Sequence, residues 1–265
     1  MQVLGYILAV LVGISLGLIG SGGSILTVPI LVYIMSVEPV LATAYSLFIV
    51  GTTALVGGIQ NAILKKVDFK TVLIFGIPSI AAVFATRKWL VPFIPDTLFS
   101  VGNFAVTKPI ALMLLFAVVM IMASISMIRP SKKKEAEDGD TIQYNYPMIL
   151  LEGTVVGILT GLVGAGGGFL IIPALVLLAR MPMKLAVGTS LFIIAAKSLI
   201  GFMGENPSTG IDWGFLILVS VFSILGILIG LLISKKISGG KLKPIFGWFV
   251  LVMGIFILLK ELFFK

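Results

Sequence analysis

The chain has 265 residues, 59% of them hydrophobic and 11% charged, with no cysteine, no histidine and a formal charge of +8. Soluble domains carry about 25% charged residues, so a water-soluble fold is excluded. Disulfides, thiolate metal sites and histidine chemistry are closed to the chain, and nothing in it implies a metal or a cofactor. The positive balance does not indicate nucleic acid, because the Lys and Arg residues sit in short segments between apolar runs, where membrane topology signals belong.

In chain order the first half is predicted to hold apolar spans at 2–35, 41–63, 70–90 and 106–128. Met1-Gln2 leads straight into the first span without a basic leader or a cleavage pattern, so that segment is expected to stay in the membrane. The stretch RPSKKKEAEDGD (129–140) is charged and almost free of apolar residues, the composition of a solvent-exposed linker. Further spans are predicted at 146–179, 185–204, 212–234 and 244–263. The expected organisation is a first membrane repeat (1–128), a charged cytoplasmic linker (129–145) and a second membrane repeat (146–265), in an all-α polytopic fold.

The repeat is legible at an offset of 144 residues. Gly13, Gly17, Gly20, Gly22, Gly23, Leu26 and Pro29 fall on Gly157, Gly161, Gly164, Gly166, Gly167, Leu170 and Pro173. Further on, Ser46-Leu47-Phe48-Ile49 falls on Ser190-Leu191-Phe192-Ile193, and Val67-Asp68-Phe69 on Ile211-Asp212-Trp213. Shared apolar composition does not keep glycine, proline, serine and aspartate aligned without a gap, so the halves are duplicates.

The first span of each half is too long for one crossing, since about 20 helical residues cross the ~30 Å core and 34 would reach ~51 Å. Each is broken in its middle by a glycine cluster and a proline, GSGGSILTVP (20–29) and GAGGGFLIIP (164–173). Loop charges decide between a straight rod and a re-entrant hairpin. Straight rods split the loop Lys and Arg nine against nine, whereas hairpins give thirteen on one side and five on the other. Cytoplasmic loops collect basic residues, so hairpins are expected. A hairpin plus three crossings is odd, which makes the halves inverted-topology repeats, an architecture of secondary transporters with a midplane site. The same rule puts both termini outside the cytoplasm.

Irregular backbone inside a bilayer persists only in protein or along a wet cavity. Two hairpin tips meeting near the midplane would aim the free N–H groups and positive ends of the helices that follow them at a negatively charged ligand. Gly20, Ser21, Gly22, Gly23 and Ser24 in the first cluster, with Gly164, Gly166, Gly167 and Gly168 in the second, are therefore the candidate anion cradle. Gly13/Gly17, Gly157/Gly161 and Gly226/Gly230 read instead as close helix packing. Lys197, the one basic residue outside every loop, lies mid-span; it would hold the charge of a substrate, pair with Glu152, or be a neutral desolvated amine. Ser46, Thr189 and Ser190, together with Thr43, are candidate hydroxyl donors, although each alone is expected to bond back to its own helix. Asp68 and Asp212 are expected to cap helices, and Glu152 is the candidate proton carrier.

The doubled motif GLIGSGGSILTVPIL and GLVGAGGGFLIIPAL, each followed by ATAYSLF or AVGTSLF and then VDF or IDW, resembles the sulfite exporter TauE/SafE family over nearly the whole chain. The resemblance implies a multi-pass inner-membrane transporter of a small sulfur-containing oxyanion of the sulfite, sulfonate, sulfoacetate or thiosulfate class, coupled to a proton or sodium gradient. The expected partners are that anion, the coupling ion and the lipid bilayer, with no nucleic acid. An anion channel lined by the same broken helices is the alternative. An enzyme is not expected: the chain has no Walker-type phosphate loop and no convincing pair of catalytic carboxylates.

Overall fold

The computed structural model describes residues 2–20, 23–90, 93–95, 97–101, 104–128, 146–163, 168–179, 181–204 and 210–263. The first half contains α1 (Gln2–Ile19), α2 (Gly23–Pro29), α3 (Pro39–Ile63), α4 (Phe69–Ala85) and α5 (Lys108–Ile128). The second contains α6 (Tyr146–Val163), α7 (Gly168–Pro173), α8 (Met183–Gly204), α9 (Trp213–Lys236) and α10 (Gly239–Phe263). The linker 129–145 lies outside the described residues. The helical expectation holds, and five helices among the described residues are long and apolar enough to cross a membrane. Lipid accounts for their outward faces: on α1, Leu4, Ile7 and Leu11 form a stripe about half exposed (49, 55 and 50%) that water would not tolerate.

Two details depart from the sequence reading. Thr97–Val101 (β1) and Phe104–Thr107 (β2) pair as an antiparallel hairpin, with Thr97 opposite Thr107 and Val101 opposite Phe104. Their β-branched and aromatic residues favour that pairing. The last helix begins at Gly239, five residues before Pro244, which had marked its expected start. A proline this close to a helix N-terminus removes few intrahelical bonds.

The first long span is a hairpin. α1 ends at Gly20, whose φ of +80° reverses the chain, and the return arm lies back along it. A Cβ on Gly23 would sit 2.6 Å from Leu16 Cγ and from the carbonyl oxygen of Val12, while one on Gly5 would sit 2.6 Å from Met35 Cγ. Residues 5 and 35 therefore meet at the open end, and no rod spans 2–35. The second half is built alike, with α6 packed on both α7 and the segment that follows it.

Both return arms finish in a widened turn directly after the proline. The N–H of Met35 donates to the carbonyl of Ile30 (3.1 Å) and that of Val37 to Leu31 (2.9 Å). At the counterpart positions, Ala179 donates to Ala174 (3.1 Å) and Met181 to Leu175 (2.9 Å). Pro29 and Pro173 have no N–H to continue the i→i−4 ladder, and winding of this i→i−5 kind relaxes the crowding a proline ring creates.

The halves interlock by exchange. α1 packs on α9 of the other half, and α6 packs on α4. Both seams are parallel and of glycine-limited width. Gly13 and Gly17 abut Gly226 and Gly230, with Gly17 Cα 3.1 Å from where a Cβ of Gly230 would stand. Gly157 meets the carbonyl oxygen of Ser79 (2.5 Å) and Ala82 Cβ (2.7 Å). The packing expected of these glycine pairs is what they do at positions 13, 17, 157, 226 and 230. α3 and α8, counterparts of each other, pack antiparallel: Leu47 lies on Gly201, Gly51 on Leu199, and Gly58 on Phe192. α5 and α10 are also antiparallel, Ile128 lying on Gly247 and Ile121 on Gly254. The main apolar core joins Val12, Leu16, Ile171, Ile172, Leu191 and Ile227 across this junction.

Candidate functional site

The first hairpin tip is seated in the second half. A Cβ placed on Gly20 would lie 2.9 Å from Ile172 Cδ1, 3.0 Å from Ser190 Oγ and 3.1 Å from Val187 Cγ1. Gly20 thus rests in the notch between α7 and α8, and α2 touches α7. Its neighbour in the other hairpin is the return arm at Ile172, not a facing tip. Ser21, Gly22, Gly164, Gly166 and Gly167 lie outside the described residues, so a tip-to-tip meeting falls there too. The described glycines have steric duties. Gly20 supplies the left-handed turn, and Gly23 lets the return arm lie on α1 without a side chain between them. Ser24 is in the first turn of α2, and Gly168 opens α7 and is buried.

The hydroxyl residues divide. Ser190 is fully buried beside the tip, and its Oγ donates to the carbonyl of Val187 (2.9 Å), the back-bond expected of a helical serine. Ser46, its counterpart, is buried on α3, and Thr43 is exposed. Thr189 has a scaffold task instead: its Oγ1 accepts the backbone N–H of Asp68 (3.1 Å), tying α8 to the loop before α4. The counterpart bond exists as well, with Tyr45 Oη accepting the N–H of Asp212 at 2.7 Å. Tyr45 and Thr189 occupy equivalent positions, a match hidden in the sequence because only the hydroxyl is shared. The aspartates cap helices as expected. Asp68 accepts from the N–H of Lys70 (3.0 Å) and from Thr71 Oγ1 (2.9 Å), and Asp212 accepts from the N–H of Phe215 (3.0 Å).

Lys197 is buried on α8, 8% exposed. It follows Ser190 by seven residues, which puts both on one helical face about 10 Å apart. Its counterpart in the first half is Thr53, fully buried, whose Oγ1 has no hydrogen-bond partner among the described residues. The sequence reading missed Thr53; extending the 144-residue register to it was the available signal. The face formed by Ser46 and Thr53 on α3 is thus repeated by Ser190 and Lys197 on α8, one copy carrying a charge and the other a hydroxyl.

Glu152 is buried on α6, and neither carboxylate oxygen has a hydrogen-bond partner among the described residues. Its depth resembles that of Lys197: the next residue, Gly153, lies against Phe75, and Gly76 against Ile193, one turn before Lys197. A separate cleft of about 420 Å³ opens between α4 and α6 among Ala82, Trp89, Leu90 and Ile158, away from the tip.

The profile of the family described as Sulfite exporter TauE/SafE matches residues 6–257. The chain belongs to the sulfite exporter TauE/SafE family. Members of similar sequence are membrane transporters by name. A probable membrane transporter protein of Xylella fastidiosa (strain 9a5c) is 30% identical over 95% of this chain and 92% of its own length. YunE of Bacillus subtilis (strain 168), named likewise, is 27% identical over 97% of this chain and 99% of its own. A third, from Methanocaldococcus jannaschii, is 29% identical over 95% of both chains. No solved structure matches. The TauE/SafE assignment covers both hairpins and every candidate residue named above, so the chain is a membrane transporter.

Proposed function

We propose that this transporter moves a small sulfur-containing oxyanion of the sulfite, sulfonate, sulfoacetate or thiosulfate class by alternating access across the inner membrane, driven by a proton or sodium gradient. In this reading the two halves are inverted-topology repeats, the linker 129–145 is cytoplasmic and both termini lie outside. The observation that carries it is the broken backbone at Gly20 seated in the other half against Ser190, with the buried cation Lys197 two turns along the same helix. The anion's path would run along that face, the glycine backbone and the hydroxyls receiving its oxygens and Lys197 its charge. Rocking one half against the other would change the Gly20–Ile172 contact and expose the face to alternate sides.

The test is sulfite binding and flux with purified protein. A charge-assisted hydrogen bond contributes about 1.5–3 kcal/mol, so Lys197→Met should weaken sulfite binding about 10- to 100-fold while the protein still inserts and elutes as a folded species. Unchanged affinity removes Lys197 from the path. Saturable, gradient-driven uptake into proteoliposomes supports the transporter, whereas ionic currents faster than conformational cycling replace it with a channel.

A further inference from the structure

Glu152 is the one buried carboxylate among the described residues. It is only 5% exposed, and neither of its oxygens has a hydrogen-bond partner there. An ionised carboxylate in that condition is very unfavourable, and the inexpensive state is the neutral acid. The elements packed against α6 bring no compensating cation to its level. α4 carries only Lys70, exposed in its first turn, and the turn after α4 carries Arg87 and Lys88 at the far end. α5 carries only Lys108, its first residue, while α7 and the turn after it carry no titratable group. On α6 itself the other titratable group is Tyr146, in the first position. Lys197 stands at similar depth on α8, a helix that packs against α4 and α7.

The wall next to this carboxyl has acceptor capacity to spare. Pro78 lies inside α4 and has no N–H to give to the carbonyl of Ile74. Ile74 adjoins Phe75, whose carbonyl oxygen is 2.5 Å from where a Cβ of Gly153 would sit. One turn on, Ser79 is fully buried and its Oγ has no hydrogen-bond partner among the described residues. A carboxylic acid O–H needs such acceptors, whereas a carboxylate needs donors. The α4–α6 seam is therefore built for the protonated form.

We infer that Glu152 is the proton-binding site of this transporter, protonated in the conformation seen here and releasing its proton when α6 moves away from α4. The coupling half of the inference rests on the proposed anion transport. With Glu152 neutral, Lys197 is the uncompensated charge at that depth and favours an anion; with Glu152 ionised, the anion is repelled. Proton and anion therefore bind together and travel in the same direction.

Two measurements separate the proton site from the transport reading. Carbodiimides add to protonated carboxyls in apolar surroundings, so detergent-purified wild-type protein treated with dicyclohexylcarbodiimide at neutral pH should carry the adduct on the peptide containing Glu152. Labelling should fall as pH is raised and should be absent in Glu152→Gln. No adduct on Glu152 at any pH in folded protein overturns the proton site without reference to substrate. In proteoliposomes, one proton per anion predicts about tenfold greater sulfite accumulation per imposed pH unit. Glu152→Asp should keep that response and Glu152→Gln should lose it. A wild-type flux indifferent to the pH gradient, or a Glu152→Gln flux that follows it as wild type does, overturns the coupling. Labelled Glu152 in a protein that moves no sulfite leaves the proton site standing and removes the proposed substrate.

Discussion

Gly20→Ala tests the seat of the first hairpin directly. Position 20 has φ +80°, a left-handed conformation that costs a residue with a Cβ about 1–2 kcal/mol. The added methyl would also meet Ile172 Cδ1 at 2.9 Å, Ser190 Oγ at 3.0 Å and Val187 Cγ1 at 3.1 Å. Overpacking of that kind costs about 1–3 kcal/mol. Together these give a loss of about 2–5 kcal/mol, a large part of the 5–15 kcal/mol that holds an ordinary domain. Reversible unfolding in mixed micelles, titrated with SDS, measures it. Ser190→Ala removes one of the three colliding atoms, so the double variant should be less destabilised than the sum of the singles. A Gly20→Ala protein as stable as wild type, within about 0.5 kcal/mol, would mean that the tip is not packed into the α7–α8 notch.

The remaining predictions concern the scaffold. Tyr45→Phe and Thr189→Val each strip the acceptor from a helix-capping backbone N–H and should cost about 1 kcal/mol apiece in the same unfolding assay. The two bonds sit at opposite ends of the α3–α8 pair, so the double variant should lose the sum; a cost confined to one of them would mean that the repeats do not share this bond. Ala9 and Leu31 line one small cavity inside the first hairpin, and the chain has no cysteine of its own. Ala9→Cys with Leu31→Cys should therefore join through a short thiol cross-linker, which a continuous helix, holding them ~33 Å apart, would not allow.

Much of this fold was readable before any coordinates. The 144-residue register survived because glycine at 13, 17, 20 and 23 and proline at 29 serve backbone sterics that few other residues satisfy, and the structure shows several of those sterics at work. The first hairpin was legible because 34 apolar residues cannot cross as one rod and loop charge broke the tie. Partner choice was not legible: that α1 would pack on α9, and α6 on α4, depends on surface shape along whole helices, and local pattern carries no record of it. Within the candidate site, Lys197 and Glu152 announced themselves because charge in an apolar span is costly. Thr53 and Tyr45 did not, since a threonine or tyrosine in a membrane helix is ordinary until its neighbours are known. Thr189 looked like a substrate donor and proved to hold a loop, because the amide it receives comes from residue 68, 121 positions earlier in the chain.

The exchange of first helices between halves also bears on how the protein is made. As residues 1–128 emerge from the ribosome, α1 has no glycine-faced companion; its seat on α9 is not synthesised until residue 213 and beyond. The opening hairpin must wait, loosely lodged, while nearly the whole chain is threaded into the lipid. Assembly is thus a late event, and the halves are obligate companions, neither of them a free-standing unit.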